Sequence, residues 1–126
     1  MKVLLDTHIL LWWLDADPLL CEEAIGIIRD PENTIFVSAV SLWEIWLKQS
    51  LGKLRLPPDF MRRLAGESFE NLPLTGAQAE RIGQLAWVHR DPFDRMLVAQ
   101  AQSENLVLLT ADEALAAYGA AVRVSR

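Results

Sequence analysis

The sequence has few cysteines and no long apolar run, and each of these absences excludes a class of protein. A single cysteine, Cys21, among 126 residues cannot form an internal disulfide, so a disulfide-stabilised secreted scaffold is excluded. No apolar run approaches the roughly 18 residues that a membrane span needs. Asp6 interrupts the apolar start of the chain, and no small-residue cleavage site follows it. We therefore expect a cytoplasmic protein with no membrane segment.

The length and composition predict a single domain, residues 1–126, without a linker or an internal repeat. A chain of this length can bury a core without disulfides or a structural metal. Hydrophobic residues make up 52% of the chain, so we expect some apolar surface to be covered by another chain.

The charge distribution is uneven. The formal net charge of −5 argues against a nucleic-acid partner. Between Ile45 and Arg63, however, five basic residues face the single acid Asp59, which gives a local charge of +4 and leaves −9 for the rest. This basic strip either contacts a phosphate backbone or is an ordinary solvated surface. Its basic members are Lys48, Lys53, Arg55, Arg62 and Arg63.

Short apolar segments alternate with segments of helical character. Strands are predicted at residues 2–5, 34–37, 72–74 and 105–109, and in the final AVRVS. Helices are predicted at residues 8–14 after a Thr7 cap, from Pro18 to Asp30, from Ser38 to a stop at Gly52, and after Pro57-Pro58. Further helices are predicted from Thr75 to Val88, with a Thr75-to-Gln78 capping box, from Pro92, and, as a short one, in DEALAAYG. A helix between successive strands serves as a crossover connection, and this pattern favours an α/β fold with a mainly parallel central sheet and helices on both faces.

Four acidic residues occupy the positions where ligands bind in such sheets. Asp6 and Asp112 follow the two most apolar strands, and the carboxyl ends of parallel strands meet at one edge. Glu44 and Asp94 are placed in the first turns of helices. A local explanation exists for both: Ser41 to Glu44 matches a capping box, and Asp94 complements a helix dipole after an Asp91 N-cap.

A cluster of four carboxylates is costly without a cation, because like charges raise one another's pKa. Oxygen ligands without a cysteine and histidine set favour Mg²⁺, with Mn²⁺ as a substitute, over zinc. We interpret His8 and His89 as polar or packing residues. A magnesium ion that activates water and neutralises a phosphate performs phosphodiester hydrolysis.

The whole chain resembles the PIN-domain ribonucleases, in particular the VapC-type toxins of type II toxin–antitoxin systems. The matching motifs are LLDTHILLWW, SLWEIWLKQSLGKL, DPFDRMLVAQA and LLTADEAL, in that order. The resemblance implies a three-layer α/β/α PIN-like fold and a Mg²⁺-dependent endoribonuclease. It implies RNA as substrate, a neutralising antitoxin, a homodimer, and contact with DNA only through the antitoxin.

The resemblance also implies roles for individual residues. Asp6 and Asp94 would be the core metal ligands, and Glu44 and Asp112 would complete the catalytic site. Thr7 and Thr110 would orient neighbouring carboxylates by hydrogen bonds. Candidates for phosphate contact are Lys48, Lys53, Arg55, Arg90 and Arg95, although Arg95 could instead pair with an acid. The five tryptophans either pack at the core edge or line a groove for an antitoxin segment and a homodimer interface. Base stacking on RNA is a third role, which the apolar surroundings of most of them disfavour.

Three other functions remain open at this point. An aspartyl phosphotransferase also begins with a strand that ends in Asp, but it usually has a second Asp two residues later, where this chain has His8. A non-catalytic binding module explains the capping residues and leaves four acids at strand ends and helix starts unexplained. A PIN nuclease in RNA processing would share the site and have no toxin role.

Overall fold

The apolar segments form one parallel sheet, and the computed structural model describes all residues from 1 to 126. The strands are β1 Lys2–Leu5, β2 Thr34–Ser38, β3 Glu70–Leu72, β4 Val107–Thr110 and β5 Val122–Val124. The α-helices are α1 Thr7–Leu14, α2 Glu22–Arg29, α3 Ala39–Ser50, α4 Phe60–Ala65, α5 Gly76–Arg81 and α6 Pro92–Glu104. One 3₁₀ helix spans Ile82–Gln84, and a second 3₁₀ segment, Glu113–Ala121, is interrupted at Gly119, where φ is +89°.

The strand order is β3-β2-β1-β4-β5, and every neighbouring pair is parallel. The prediction of a mainly parallel sheet is therefore confirmed. The order places β1 at the centre, between β2 and β4, so the chain progresses in opposite directions on the two sides of β1. In open α/β sheets, ligands bind beyond the carboxyl ends of the strands at such a reversal.

Two hydrophobic cores lie on opposite faces of the sheet. Successive side chains of a strand point to opposite faces, and Val3 and Leu5 accordingly belong to one core while Leu4 belongs to the other. The first core contains Ile9 of α1, and the second contains Leu97 of α6. The expected three-layer α/β/α arrangement is confirmed. No helix is both long and apolar enough to cross a membrane.

Several element boundaries differ from the sequence prediction. Thr7 is the first residue of α1, and Asp6 occupies the N-cap position. Helix α2 begins at Glu22, not at Pro18, because Asp17 accepts hydrogen bonds from Leu19 N–H and Leu20 N–H in a preceding turn. Strand β3 ends at Leu72, and residues 73 and 74 lie outside it. The helix from Thr75 is also shorter than predicted and passes into a 3₁₀ turn at Ile82.

Helix α3 begins directly after β2, without a loop. Ser38 is both the last residue of β2 and the N-cap of α3, and its hydroxyl accepts a hydrogen bond from Val40 N–H at 2.9 Å. The capping box predicted from Ser41 to Glu44 is therefore wrong. Glu44 lies in the second turn of α3 and is buried, so its position is not explained by capping.

Candidate metal centre

Asp6 lies at the centre of the carboxyl edge, immediately after β1. Its side chain is only 3% exposed. Thr110, the last residue of β4, donates its hydroxyl to Asp6 Oδ2 at 2.6 Å, and Asp6 N–H donates to the Leu109 carbonyl. Burial raises the pKa of Asp6, and nearby Glu44 raises it further, while the Thr110 hydrogen bond opposes the rise. Asp6 Oδ1 is buried and has no hydrogen-bond partner.

Glu44 presents a second buried carboxylate from α3. Its Oε2 forms an ion pair with Lys48 Nζ at 2.5 Å, one helical turn later, and its Oε1 is buried without a partner. The hydrogen bond to Glu44 raises the pKa of Lys48, so the lysine stays charged. An uncompensated buried carboxylate oxygen costs free energy unless a cation or a donor reaches it.

Asp94 is positioned by the start of α6, as the sequence predicted. Asp91 Oδ1 accepts hydrogen bonds from Phe93 N–H at 2.8 Å and Asp94 N–H at 3.0 Å, and Pro92 is the first helical residue. Asp91 is thus confirmed as the N-cap. Burial first, and then the charge of Asp6, raises the pKa of Asp94 to about 6. Asp6 and Asp94 are therefore close enough to repel each other.

Asp112 lies at the same edge, and the structure adds a residue that the sequence analysis missed. His89 Nε2 lies 2.9 Å from Asp94 Oδ2 and 3.8 Å from Asp112 Oδ2. The ligand atoms of these three side chains are all within 4.8 Å of one another. The sequence did contain a signal for this contact, because His89 lies two residues before the Asp91 cap and five residues before Asp94.

The four predicted acids therefore divide into two groups. Asp6 and Glu44 are deeply buried, whereas Asp94 is partly buried and the Asp112 side chain is 44% exposed. Asp112 also caps the 3₁₀ helix that follows it, with Oδ1 accepting from Ala114 N–H. Asp6 and Glu44 do not belong to the 4.8 Å group around His89. The four carboxylates therefore range from almost fully buried, at Asp6 and Glu44, to largely exposed, at Asp112.

The threonines at the edge have different partners. Thr110 holds Asp6 and also accepts a hydrogen bond from Asp112 N–H at 3.1 Å, so it links the two acids. The Thr7 hydroxyl instead donates to Ser41 Oγ at 2.9 Å. The hydroxyl reaches no carboxylate, because α1 packs beside α3 and the two hydroxyls face each other. The backbone N–H of Thr7 does act on Asp6 and lowers its pKa.

A divalent cation fits this donor set. Two buried carboxylate oxygens, Asp6 Oδ1 and Glu44 Oε1, have no partner, and Asp94 lies near enough to Asp6 to raise its own pKa. Mg²⁺ and Mn²⁺ bind such oxygen donors. A bound cation would lower the carboxylate pKa values, because it favours the charged form. The imidazole of His89 would then have to share Asp94 with the ion.

A cleft of about 350 Å³ is lined by Glu44. Of the proposed phosphate contacts, Lys48, Lys53 and Arg55 line it, and the last two are exposed. The acids Asp15 and Asp17 lie among its other lining residues. Four members of the basic strip thus line the same cleft as Glu44, and these are Lys48, Lys53, Arg55 and Arg63.

Arg95 is not available for phosphate contact, and this prediction is wrong. Its side chain is buried and donates to the Ala86 and Ile82 carbonyls at 2.8 and 3.3 Å. It also donates to the Tyr118 hydroxyl at 3.1 Å, and its guanidinium carbon lies 3.8 Å from the centre of the Trp87 ring. No acid pairs with it, so carbonyl dipoles and the indole face stabilise the buried charge; a desolvated cation–π contact contributes about 2 kcal/mol.

The tryptophans fall into two sets. Trp12 and Trp13 pack partly buried against the first core. Trp43 and Trp46 on α3 and Trp87 after the first 3₁₀ helix are 59%, 42% and 78% exposed. The exposed set is not explained by core packing alone.

The chain is similar to known proteins in both sequence and fold. The family model described as the PIN domain matches residues 3–121. The fold is similar to that of VapBC2 from Rickettsia felis bound to a promoter DNA fragment, with a TM-score of 0.73, 16% identity and coverage of 99% of this chain and 98% of that chain.

Two further solved structures are also similar in fold. A toxin–antitoxin complex from Klebsiella pneumoniae has a TM-score of 0.65, 23% identity and coverage of 97% and 96% of the two chains. DNA-bound VapBC from Salmonella typhimurium has a TM-score of 0.64, 20% identity and coverage of 99% and 97%. No curated protein sequence matches the chain significantly. At these identities the structural similarity establishes the fold.

Proposed function

Because the chain belongs to the PIN domain family, whose members are generally nucleases, we propose that it is a Mg²⁺-dependent endoribonuclease and the toxin of a type II toxin–antitoxin pair. The observation that carries the proposal is the pair of buried, unpartnered oxygens on Asp6 and Glu44 beside Asp94. A purely structural site has no reason to keep these oxygens without donors. A cation-binding site needs them free.

In this proposal Asp6 and Asp94 are the core ligands, and Glu44 and Asp112 complete the site directly or through water. When bound, the ion would activate a water molecule and neutralise charge on the phosphate. The protein would supply position: Thr110 fixes Oδ2 of Asp6 and leaves Oδ1 free, and the Asp91 cap fixes the backbone of Asp94. In-line hydrolysis would leave a 3′-hydroxyl and a 5′-phosphate.

The exposed cations of the cleft support a phosphate-backbone substrate. Lys53 and Arg55 line the cleft next to Glu44 and have no acidic partner. Arg90 is also exposed, and it directly precedes the Asp91 cap of α6. These side chains would hold the RNA backbone across the carboxylates, whereas Lys48 is already paired with Glu44 and would chiefly moderate its charge.

The proposed toxin role includes a cognate antitoxin, a homodimer and a cytoplasmic location. The fold similarity to chains in toxin–antitoxin complexes supports an antitoxin partner. The exposed tryptophans of α3 offer apolar surface for that partner or for a second copy. Any contact with DNA would then pass through the antitoxin.

RNA cleavage by the purified protein tests the nuclease activity. We expect cleavage with Mg²⁺ or Mn²⁺, none in chelator, and loss of cleavage in Asp6→Asn and Asp94→Asn while circular dichroism shows retained folding. Asp30→Asn is the matched control, because Asp30 is exposed before β2 at the opposite edge, and an asparagine keeps its acceptor for Glu32 N–H. Full cleavage in chelator, or by both site variants, would overturn the metal-site proposal.

Growth on induction tests the toxin role separately. Expression of the wild type should arrest growth, and Glu44→Gln should relieve the arrest at equal protein level. A wild type that cleaves RNA in vitro but leaves growth unchanged would indicate an RNA-processing nuclease. A protein that neither cleaves RNA nor arrests growth would favour a non-catalytic binding module.

A further inference from the structure

Trp87 is the most exposed large apolar side chain of the protein, at 78%, and it lies two residues before His89. His89 contacts both Asp94 and Asp112. The indole also packs against Arg95, the residue that follows Asp94, so it belongs to the same part of the molecule as the acids. An indole this exposed does not stabilise the core, so core packing does not explain why a tryptophan occupies this position.

Hydrogen bonds from two side chains hold the backbone of the segment that precedes Trp87. The Ala86 carbonyl accepts hydrogen bonds from Arg95 at 2.8 Å and from the Tyr118 hydroxyl at 3.1 Å. Arg95 also reaches the Ile82 carbonyl, so one buried guanidinium joins α6 to both ends of the segment from 82 to 86. The backbone next to Trp87 is thereby fixed.

The same guanidinium covers one face of the indole. The Arg95 guanidinium carbon lies 3.8 Å from the ring centre, and Arg95 itself is 3% exposed. The high exposure of Trp87 thus belongs to its opposite face. A ring with a cation behind it and an open outer face, held on a fixed backbone, is a suitable surface for stacking a planar group.

We propose that Trp87 is a stacking platform for one base of single-stranded RNA next to the scissile phosphate. The inference rests on the proposed nuclease function and adds a substrate-positioning residue to it. Two cations favour nucleic acid over an apolar partner: Arg95 lies behind the ring, and exposed Arg90 follows three residues later. The acids Asp94 and Asp112 near His89 would be neutralised by the proposed cation. Base–aromatic stacking is tolerant of sequence, since every base has a π-face.

Binding of a short, random-sequence, fluorescein-labelled single-stranded RNA tests this role. It is measured by anisotropy with Mg²⁺ in the Asp6→Asn background, where cleavage is expected to be blocked. Adding Trp87→Ala should raise Kd by roughly 5- to 150-fold, which corresponds to the ~1–3 kcal/mol of one base–aromatic stack. Trp87→Phe should recover part of the loss. Leu19→Ala removes an exposed apolar side chain, 66% exposed in the turn between α1 and α2, and should not change Kd.

Cleavage kinetics in the otherwise wild-type protein give the second readout. Trp87→Ala should raise KM more than it lowers kcat, because the ring binds a base and touches no reacting atom. An unchanged Kd and KM would overturn the stacking role while leaving the nuclease intact. A Trp87→Ala variant that loses dimer or antitoxin binding at unchanged RNA affinity would assign the ring to a protein interface and also overturn it. Failure of the wild type to cleave RNA would instead overturn the proposed function itself.

Discussion

Replacing Asp94 with asparagine should stabilise the metal-free protein at neutral pH. Burial and the charge of Asp6 raise the pKa of Asp94 from 3.8 to about 6. At ~1.4 kcal/mol per pKa unit, this rise corresponds to about 3 kcal/mol. Because the side chain retains 17% exposure, we expect about 2–3 kcal/mol of the penalty to be relieved in Asp94→Asn.

The pH dependence follows from the sign of the change. A raised carboxyl pKa in the folded state favours the protonated form there, so the Asp94 contribution to stability is fully present below about pH 4. It is lost as the pH rises through about 6. Asparagine is neutral throughout, so the advantage of the variant should be largest above pH 7 and should vanish near pH 4.

Urea unfolding in chelator at several pH values measures this difference. Asp30→Asn again serves as the control, since it removes an exposed carboxylate distant from the cluster. With Mg²⁺ the advantage of the variant should disappear: a ligand at 100 times its Kd stabilises the folded wild type by about 2.7 kcal/mol, and the variant should lose this gain. An Asp94→Asn protein that is less stable than wild type in chelator at pH 7.5 would refute the reasoning.

Two further substitutions test individual contacts. Thr110→Val removes the donor to Asp6 Oδ2 and the acceptor for Asp112 N–H. We expect the free energy of unfolding, measured with urea at neutral pH, to fall by about 1.5–3 kcal/mol. The pH–rate profile should move to higher pH, because the pKa of Asp6 rises further, whereas Thr110→Ser should retain both contacts. Ser38→Ala removes the N-cap of α3 and the hydrogen bond to Gln100. Thermal unfolding should show a free energy of unfolding that is lower by about 0.5–2 kcal/mol. Ser50→Ala, at an exposed position, is the control, and an unchanged Tm for Ser38→Ala would contradict the cap assignment.

The sequence predicted best those features that depend on neighbours within a few residues. The Asp91 and Pro92 start of α6 and the Thr75 to Gln78 capping box are both present in the structure. A helix cap is formed by groups two or three residues apart, so the local sequence is sufficient to specify it. The acids at strand ends could also be recognised, because each directly follows an apolar run that forms a strand, and the carboxyl ends of parallel strands meet at one edge.

The predictions that failed depended on contacts beyond that range. Ser41 matched a capping box, yet the strand pairing of β2 continues to Ser38, and the helix starts there. Arg95 was considered for phosphate contact or an acid pair, but its partners lie 9, 13 and 23 residues away in the chain. His89 was interpreted as a lone imidazole because its second acidic neighbour, Asp112, comes from another element.

The sequence alone thus determined the alternation of strands and helices, the family resemblance and the four acids, since periodicity, capping and motif order are local properties. The tertiary structure decided which of those acids are buried and which side chains share them. Thr110 reaches Asp6 across 104 residues of chain, and the unpartnered oxygens of Asp6 and Glu44 are buried only in the folded chain. Burial and long-range proximity set the pKa of a carboxyl group, and both arise only when the parallel strands assemble.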